Sequence, residues 1–406
     1  MAGPLSHIRV LDLSRVLAGP WAAQNLADLG AEVIKVERPG KGDDTRGWGP
    51  PFLKDAGGAD TAEAAYYMSV NRNKKSITLD IASAEGQAIA RDIAARSDVV
   101  IENYKVGTLK RYGLGWEDLR QLNKGLVYCS VTGFGQDGPM APRPGYDFIF
   151  QGMAGLMSIT GAREGEPGAG PMRVGIAVTD IMTGMYASLA ITAAISHRDR
   201  TGEGQYIDCA LLDTLVAFNA NQIVSWFCSG EIPGRWGNSH PQVVPYEAFA
   251  TADSHIILAV GNDRQFDSFC AAAGRPELAQ DERFRTNSLR IVNRKALIPL
   301  VADIMRTRTK REWIDLLEAA KVPCGPINNI KEVFDEPQVQ HRKLRVDMPH
   351  PLGTAALVAS PMRLSATPVE YRLPPPLLGQ HNDEVLKGLL GRSDADVAAL
   401  KAAGII

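Results

Sequence analysis

The chain has 406 residues, of which 45% are hydrophobic and 22% are charged. This length and apolar content predict a large core divided between two domains. Lys and Arg number 44 against 46 Asp and Glu, for a formal net charge of −2. No bulk positive field therefore attracts nucleic acid or an anionic membrane surface, and we expect neither as a partner.

The first 135 residues alternate strand-like and helix-like patterns. The strand-like runs are residues 8–14, 31–39, 74–80, 98–104 and 125–135. The helical patterns are residues 19–30, 83–97 and 116–123. This alternation predicts an α/β fold, with a parallel sheet covered by helices on both faces.

The pattern of strand-like and helix-like segments changes after the first half of the chain. Residues 240–335 read as a smaller α+β domain, and the Pro- and Gly-rich segment that follows reads as a return strap without its own core. The predicted organisation is a large domain at 1–222 completed by 340–406, a small domain at 240–335, and a linker at 223–239.

Cysteine and histidine positions argue against a metal site. The five cysteines are far apart in sequence with no CxxC pair, and the seven histidines are scattered singly. This pattern predicts reduced thiols in a cytoplasmic protein, and the first residues show no signal-peptide pattern. The apolar run after Asp180 ends at the basic residues 197–200, which leaves too short a span for a membrane helix and predicts a buried core helix.

Residues 133–138, GFGQDG, match the glycine pattern of dinucleotide sites. That pattern requires a helix after the glycines, and the prolines within residues 139–145 prevent one. We therefore expect no nicotinamide or flavin cofactor, and interpret these glycines as a flexible loop beside a substrate.

Asp180 is a single carboxylate within the apolar and small residues 174–195. It could be the N-cap of a helix, since Asp accepts hydrogen bonds from first-turn N–H groups. It could equally be a nucleophile or acid/base in an apolar wall. The local pattern favours the cap and leaves both roles open.

Four segments occur in an order that is specific in combination. They are VLDLSRVLAGPWAAQNLADLGAEVIKVERPGKGDDTRGW, NRNKKSITLD, DVVIENYKVGTLKRYGLGWEDL and VTDIMTGMYA. With them the chain resembles the class III CoA-transferases, a family that includes formyl-CoA and carnitine CoA-transferases and α-methylacyl-CoA racemases. The resemblance spans nearly the whole chain. It implies a Rossmann-like large domain completed by the C-terminal strap, a smaller domain, and a homodimer of two interlocked rings.

The resemblance also implies coenzyme A as ligand, carried as a substrate thioester. It places Val16, Leu17 and Ala18 along the pantetheine passage. Cationic and amide side chains near the ends of predicted strands agree with phosphate binding at the rim of an open sheet, although each alone would read as a surface charge. These residues are Arg38, Lys74, Lys75, Asn103, Lys105 and Arg111.

By resemblance, Asp180 is the nucleophile of a CoA transfer that proceeds through aspartyl anhydride and aspartyl-CoA thioester intermediates. The racemase alternative requires a histidine where this chain has Tyr146, and a phenol with a pKa near ~10 is a poor base at pH 7. Tyr146 is instead a candidate to hydrogen-bond an anhydride or thioester oxygen, or a packing residue, and Gln151 is a weaker substrate-binding candidate. A CoA-binding paralogue without turnover is the remaining alternative.

Residues 233–249 lack the run of four glycines that the resemblance places in formyl-CoA transferases. Formyl transfer is therefore not expected. The chain, including residues 237–253, is more similar to the succinyl-CoA-dependent dicarboxylate branch of the family, and this resemblance implies succinyl-CoA as donor and a C5 dicarboxylate, such as glutarate or itaconate, as acceptor. The second carboxylate of such an acid requires a cation or clustered donors. Arg72, Arg173 and Arg235 are the candidates, although Arg235 lies in a stretch that also reads as a polar surface loop.

Overall fold

A computed structural model of the protein describes residues 3–406. The chain forms two compact units. The first comprises Met1–Leu156, Arg173–Ser229 and Gln340–Ile406, and the second comprises Met157–Met172 and Gly230–Val339. Relative to the domains expected from sequence, residues 157–172 belong to the smaller unit. The segment expected to be a linker begins within a helix of the larger unit.

The strands and helices below are numbered in chain order. The strands are β1 (Arg9–Asp12), β2 (Glu32–Glu37), β3 (Phe52–Lys54), β4 (Asp60–Ala64), β5 (Lys74–Thr78), β6 (Val99–Glu102), β7 (Val127–Thr132), β8 (Tyr206–Ala210), β9 (Tyr246–Ala250), β10 (His255–Ala259), β11 (Cys324–Pro326), β12 (Arg345–His350) and β13 (Gly353–Val358). The helices are α1 (Ala18–Asp28), α2 (Ala65–Met68), α3 (Ala84–Ala94), α4 (Thr108–Arg111), α5 (Trp116–Leu119), α6 (Asp147–Met153), α7 (Leu156–Ile159), α8 (Val178–Thr201), α9 (Leu211–Phe218), α10 (Ala220–Ser229), α11 (Asp263–Ala272), α12 (Glu277–Gln280), α13 (Asn287–Val292), α14 (Arg294–Met305), α15 (Lys310–Ala319), α16 (Ile330–Asp335), α17 (Pro337–His341) and α18 (Asp394–Ala402).

A six-stranded sheet forms the centre of the first unit. Its order is β5-β2-β1-β6-β7-β8, and every neighbouring pair is parallel. The five strands predicted from the first 135 residues are all in this sheet, which confirms the parallel α/β prediction. The chain winds outward in one direction from β1 and in the other from β6. The crevice between the loops that follow β1 and β6 is therefore the expected ligand position.

The C-terminal strap packs into the first unit. Val385, Leu386, Val397 and Leu400 are buried in one core cluster with residues of the sheet and of α3. Earlier in the strap, β12 and β13 pair with each other, and Met348 is buried against Leu53 and Met68. The strap thus depends on the core of the first unit, as its composition predicted.

The longest helix, α8, has 24 residues and packs against α1. By length and composition α8 could span a membrane. The prediction that this apolar run is too short to do so was therefore wrong. Half of its apolar window is nevertheless buried inside the fold. Gly184 permits the close approach to α1, because a Cβ atom there would lie 2.6 Å from the carbonyl oxygen of Ala18.

The second unit has an antiparallel sheet in the order β11-β10-β9, packed against helices. Its core includes the fully buried Phe266, Phe269 and Trp313. The indole N–H of Trp313 donates to the carbonyl oxygen of Met305 at 2.7 Å, so the largest side chain of this core leaves no unpaired donor.

A buried ion pair fixes the turn after β1. Lys35 Nζ lies 2.9 Å from an Asp43 carboxylate oxygen, and both side chains are inaccessible to solvent. Asp43 also accepts from the backbone N–H of Val16 at 3.2 Å, and Lys35 donates to the carbonyl oxygen of Ser14 at 2.8 Å. Although burial opposes ionisation, the charge of Lys35 lowers the pKa of Asp43 to about 2. Val16 itself has a φ of 70°, which is unusual for a β-branched residue.

We expect Lys35→Met to lower the free energy of unfolding by about 3–5 kcal/mol, because it leaves Asp43 buried without its cation. Urea unfolding monitored by circular dichroism measures the change. The matched control is Arg120→Ala, which removes an exposed pair with Glu117 at 3.5 Å and should cost less than about 1 kcal/mol. Equal destabilisation in the two variants would show that the buried pair is not critical.

Candidate active site

A cavity of about 220 Å³ lies in the first unit at the carboxyl edge of the sheet. Its lining comes from the segments that follow β1, β6 and β7, together with the first turn of α8. Seven residues selected from the sequence line it: Val16, Leu17, Ala18, Asn103, Lys105, Tyr146 and Asp180. The structure thus brings together the predicted nucleophile and the predicted pantetheine passage.

Asp180 is the third residue of α8, and the N-cap residue is Ala177. The prediction that Asp180 is the N-cap is therefore wrong, because the helix begins two residues earlier at Val178. Within residues 3–406, no side chain or backbone group hydrogen-bonds or ion-pairs with the Asp180 carboxylate. The carboxylate is partly buried at the positive end of the helix dipole and is free to meet a ligand.

A second carboxylate caps the same helix. Asp147, the first residue of α6, accepts a hydrogen bond from the backbone N–H of Thr179 at 2.7 Å. Its other oxygen accepts from Gln151 Nε2 at 2.7 Å, and Gln151 Oε1 accepts from the N–H of Val174 at 2.9 Å. Gln151 is fully buried. It therefore holds Asp147 and the entry to α8 in place and does not line the cavity.

Asp147 was not among the functional residues predicted from the sequence. The available signal was its spacing of four from Gln151, since Asp and Gln at that spacing face each other on a helix. Tyr66 was also missed. Burial, followed by the charges of Asp180 and Asp147, raises the pKa of Tyr66 to about 12. This phenol therefore stays protonated near the two carboxylates.

The pKa of Asp180 is raised to about 7, first by burial and then by the like charge of Asp147. The carboxylate is thus ionised above about pH 7 and protonated below it. Close to neutrality it is basic enough to be a good nucleophile while still being substantially ionised.

A neighbouring cavity of about 300 Å³ lies beside β1 and β2 in the first unit. Arg38 is exposed and lines it, together with Arg15 and Lys41. Asn103 joins the loops after β1 and β6, because its side chain bonds both the N–H (3.0 Å) and the carbonyl (2.7 Å) of Arg15. Arg111 is exposed at the end of α4. Cationic groups therefore surround this edge of the sheet, as a polyphosphate ligand would require.

Lys74 and Lys75 lie elsewhere. They are the first two residues of β5 and so occupy its amino end, whereas ligands bind at the carboxyl ends of parallel strands. Lys74 Nζ is 3.0 Å from Asp12, with both side chains fully buried. Lys75 pairs with Glu32 at 2.6 Å and with Glu384 at 2.7 Å. These contacts correct the placement of both lysines on the phosphate-binding rim.

None of the three arginines selected for the acceptor lines the Asp180 cavity. Arg72 is buried, with two nitrogens 2.9 and 2.6 Å from the carboxylate of Asp28. Arg173 is exposed, and its guanidinium lies 5.8 Å from the ring of Phe148. Arg235 belongs to the second unit, where it pairs with Glu164. The basic residues that do line the cavity are Arg15, Lys105 and Arg143.

Within residues 3–406, no group of three or more His, Cys, Asp and Glu side chains is arranged to hold a metal ion. The cysteines at positions 129, 209, 228, 270 and 324 are all free thiols.

Comparison with known proteins identifies close relatives. The model of CoA-transferase family III matches residues 5–382. A succinate–glutarate CoA-transferase of Agrobacterium fabrum is 50% identical over 95% of this chain and 96% of the relative. A human succinyl-CoA:glutarate CoA-transferase is 44% identical over 99% of this chain and 90% of the relative. The crystal structure of a CAIB/BAIF family protein from Brucella suis superimposes with a TM-score of 0.84 at 43% identity, covering 96% of this chain and all of the other.

We expect Asp147→Asn to lower the pKa of Asp180, because the substitution removes a like charge while its side-chain oxygen can still accept from Thr179. Asp180 should then stay ionised to lower pH, although burial still keeps its pKa above the ordinary value. A ¹³C NMR titration of the Asp carboxyl carbons measures this, with the Asp180 signal identified by its loss in Asp180→Asn. Asp137→Asn, an exposed site, is the control. An unchanged midpoint in Asp147→Asn would contradict the coupling.

Proposed function

Because the chain belongs to CoA-transferase family III, we propose that it moves CoA from succinyl-CoA to a C5 dicarboxylic acid such as glutarate. The observation that carries the proposal is the Asp180 carboxylate, which is unpaired in a cavity at the N-terminus of α8 and has a pKa of about 7. The names of the Agrobacterium and human relatives support the choice of donor and acceptor.

Asp180 is the proposed nucleophile. Its ionised oxygen attacks the thioester carbon of the donor, the carbon–sulfur bond breaks, and CoA leaves as a thiolate with a mixed anhydride on Asp180. The thiolate then attacks the Asp180 carbonyl carbon, which releases succinate and forms an aspartyl-CoA thioester. The acceptor carboxylate attacks that thioester, its carbon–sulfur bond breaks, and CoA leaves again as a thiolate with a second anhydride on Asp180. CoA thiolate finally attacks the acceptor's acyl carbon, releasing the new acyl-CoA and regenerating Asp180.

The helix that carries Asp180 supports this sequence of steps. Negative charge develops on a carbonyl oxygen each time an acyl carbon is attacked, and the positive end of α8 is oriented to stabilise it. Tyr146 lines the same cavity and is exposed, so its hydroxyl is available as a further donor. Asp147 maintains the first turn by capping Thr179 and is a positioning residue.

The first unit is the proposed Rossmann-like CoA-binding domain, and its strand order supports that assignment. Arg38, Lys41 and Arg111 are proposed to hold phosphates. Arg143 lines the Asp180 cavity and has no carboxylate partner among the described residues, so we assign it to the far carboxylate of the acceptor. The free cysteines support a cytoplasmic location.

Asp180→Asn should abolish transfer from succinyl-CoA to glutarate while leaving CoA binding intact. Arg143→Gln should raise the KM for glutarate roughly tenfold, on the scale of a hydrogen bond to a charged group, and leave formation of the aspartyl-CoA thioester unchanged. Arg173→Gln is the matched control. Coupled assays measure turnover, and mass spectrometry after hydroxylamine treatment detects acylated Asp180.

Four outcomes would contradict these assignments. Substantial turnover by Asp180→Asn would exclude Asp180 as nucleophile. Preferred turnover of monocarboxylates would exclude the dicarboxylate assignment. Exchange of an acyl-CoA α-proton in deuterated water without acceptor would indicate a racemase, whereas CoA binding with no modification of Asp180 would indicate a paralogue without turnover.

We also propose a homodimer, which the resemblance describes as two interlocked rings. The supporting observation is a set of exposed apolar side chains on two helices of the first unit, including Leu189 on α8 and Phe227 on α10, which are 65% and 69% exposed. No residue of α10 is buried, although the helix includes Val224 and Trp226. Large apolar side chains exposed on such helices are typical of a surface that a partner subunit covers.

Light scattering coupled to size-exclusion chromatography should give twice the chain mass of 43.9 kDa. Leu189→Asp should shift the protein toward monomer or misfolded material, because a charge at a packed interface is costly. Leu122→Asp, at a residue that is 51% exposed and lies on neither α8 nor α10, should remain dimeric. A wild-type protein that is monomeric at all concentrations would rule out the dimer.

A further inference from the structure

A separate cavity of about 730 Å³ is lined entirely by residues of the second unit. Arg163, Arg294 and Lys295 contribute positive charge to its wall, and Trp236 and Ile298 contribute apolar surface. Its volume lies within the range of small-molecule sites, roughly 300–1,000 Å³. The transfer chemistry proposed for Asp180 makes no use of these residues.

Arg294 is held rigidly with one nitrogen unpaired. It is the first residue of α14 and is only 9% exposed. Its Nη2 donates to the carbonyl oxygens of His240 at 2.7 Å and Pro241 at 2.9 Å. Its Nη1 is buried without a hydrogen-bond partner. A buried guanidinium donor is seldom left unpaired, so this atom indicates a missing acceptor.

Arg163 is in a similar position beside the same tryptophan. Its guanidinium carbon lies 4.7 Å from the Trp236 ring, and that of Arg294 lies 4.6 Å from it. Arg163 Nε is also buried without a partner. Two guanidinium groups therefore stack against one indole ring, and each has an unfilled donor.

The nearby carboxylates form no direct ion pair with these two arginines among the described residues. Glu247 also lines the cavity, but its carboxylate accepts from Ser239 Oγ at 3.0 Å. Within residues 3–406 it forms no ion pair with Arg163 or Arg294. Glu164 is paired with Arg235. Burial lowers the pKa of Arg294, the charge of Glu247 opposes this shift, and the charge of Arg163 adds to it.

We propose that this cavity binds the carboxylate of an aliphatic acid. The free donors of Arg163 and Arg294 match the acceptor oxygens of a carboxylate, and guanidinium groups favour such paired hydrogen bonds. The first turn of α14 has no acidic residue, so its dipole also favours an anion. Trp236, Ile298 and Pro299 supply apolar surface for the methylene chain. Inorganic phosphate has no group that would use these walls.

The test uses ¹⁹F NMR titration of the full-length protein with 5,5,5-trifluoropentanoate. Saturating CoA is present to suppress binding in the Asp180 cavity. Wild type should bind the probe, and Arg163→Gln and Arg294→Gln should each weaken binding roughly tenfold or more. Arg163→Gln is the more informative variant, because the Arg163 guanidinium forms no hydrogen bond or ion pair with any residue that the structure describes.

Arg308→Gln is the matched control, since Arg308 stacks 4.8 Å from the Trp313 ring in the same unit without lining the cavity. The Arg308→Gln variant should bind the probe as tightly as wild type does. Circular dichroism verifies the folding of all variants. Equal affinity in wild type, Arg163→Gln and Arg294→Gln would overturn the site. Displacement of the probe by inorganic phosphate at the same or lower concentration would overturn the assignment to an aliphatic carboxylate.

Discussion

The hydrogen bond from the Thr179 N–H to Asp147 determines the geometry of the candidate active site. It supplies α8 with a cap from a separate helix, and it frees Asp180 from that role. The same carboxylate places a second negative charge beside Asp180 and contributes to its raised pKa. Asp147 therefore affects both the structure of the first turn of α8 and the reactivity of Asp180. The group that orders the first turn of α8 also disfavours ionisation of the nucleophile that this turn presents.

The turn after β1 is under a comparable constraint. Val16 has a left-handed backbone conformation, and the buried carboxylate of Asp43 accepts its N–H. Lys35 compensates the charge of Asp43, and Asn103 joins the neighbouring loops. The cavity wall is consequently set by polar interactions inside the fold, which allows the wall itself to present Val16, Leu17 and Ala18 to a ligand. Such preorganisation reduces the ordering needed when substrate binds.

Much of the fold could be predicted because its signals are local. Strand and helix periodicities identified five of the six parallel strands, and an isolated carboxylate in an apolar run identified Asp180. The errors arose where the role of a residue depended on a partner far away in the sequence. The cap of α8 comes from Asp147, which is 32 residues before Thr179. Arg72 is near the site in sequence terms, yet its carboxylate partner Asp28 lies 44 residues earlier. Lys75 was predicted to lie at the ligand-binding edge of the sheet. It stands at the amino end of β5, and ligands bind at the carboxyl ends of parallel strands.

The position of the strap within the core has a consequence for biosynthesis. The hydrophobic cluster beneath the central sheet includes Val385, Leu386, Val397 and Leu400 from the strap. The strands of the sheet are synthesised before the strap, so this cluster cannot close until the strap has followed them. The sheet emerges early and must wait with an incomplete core, in a state that exposes apolar surface to aggregation or to chaperones. Synthesis of the strap is therefore the event that permits the first unit to complete its fold.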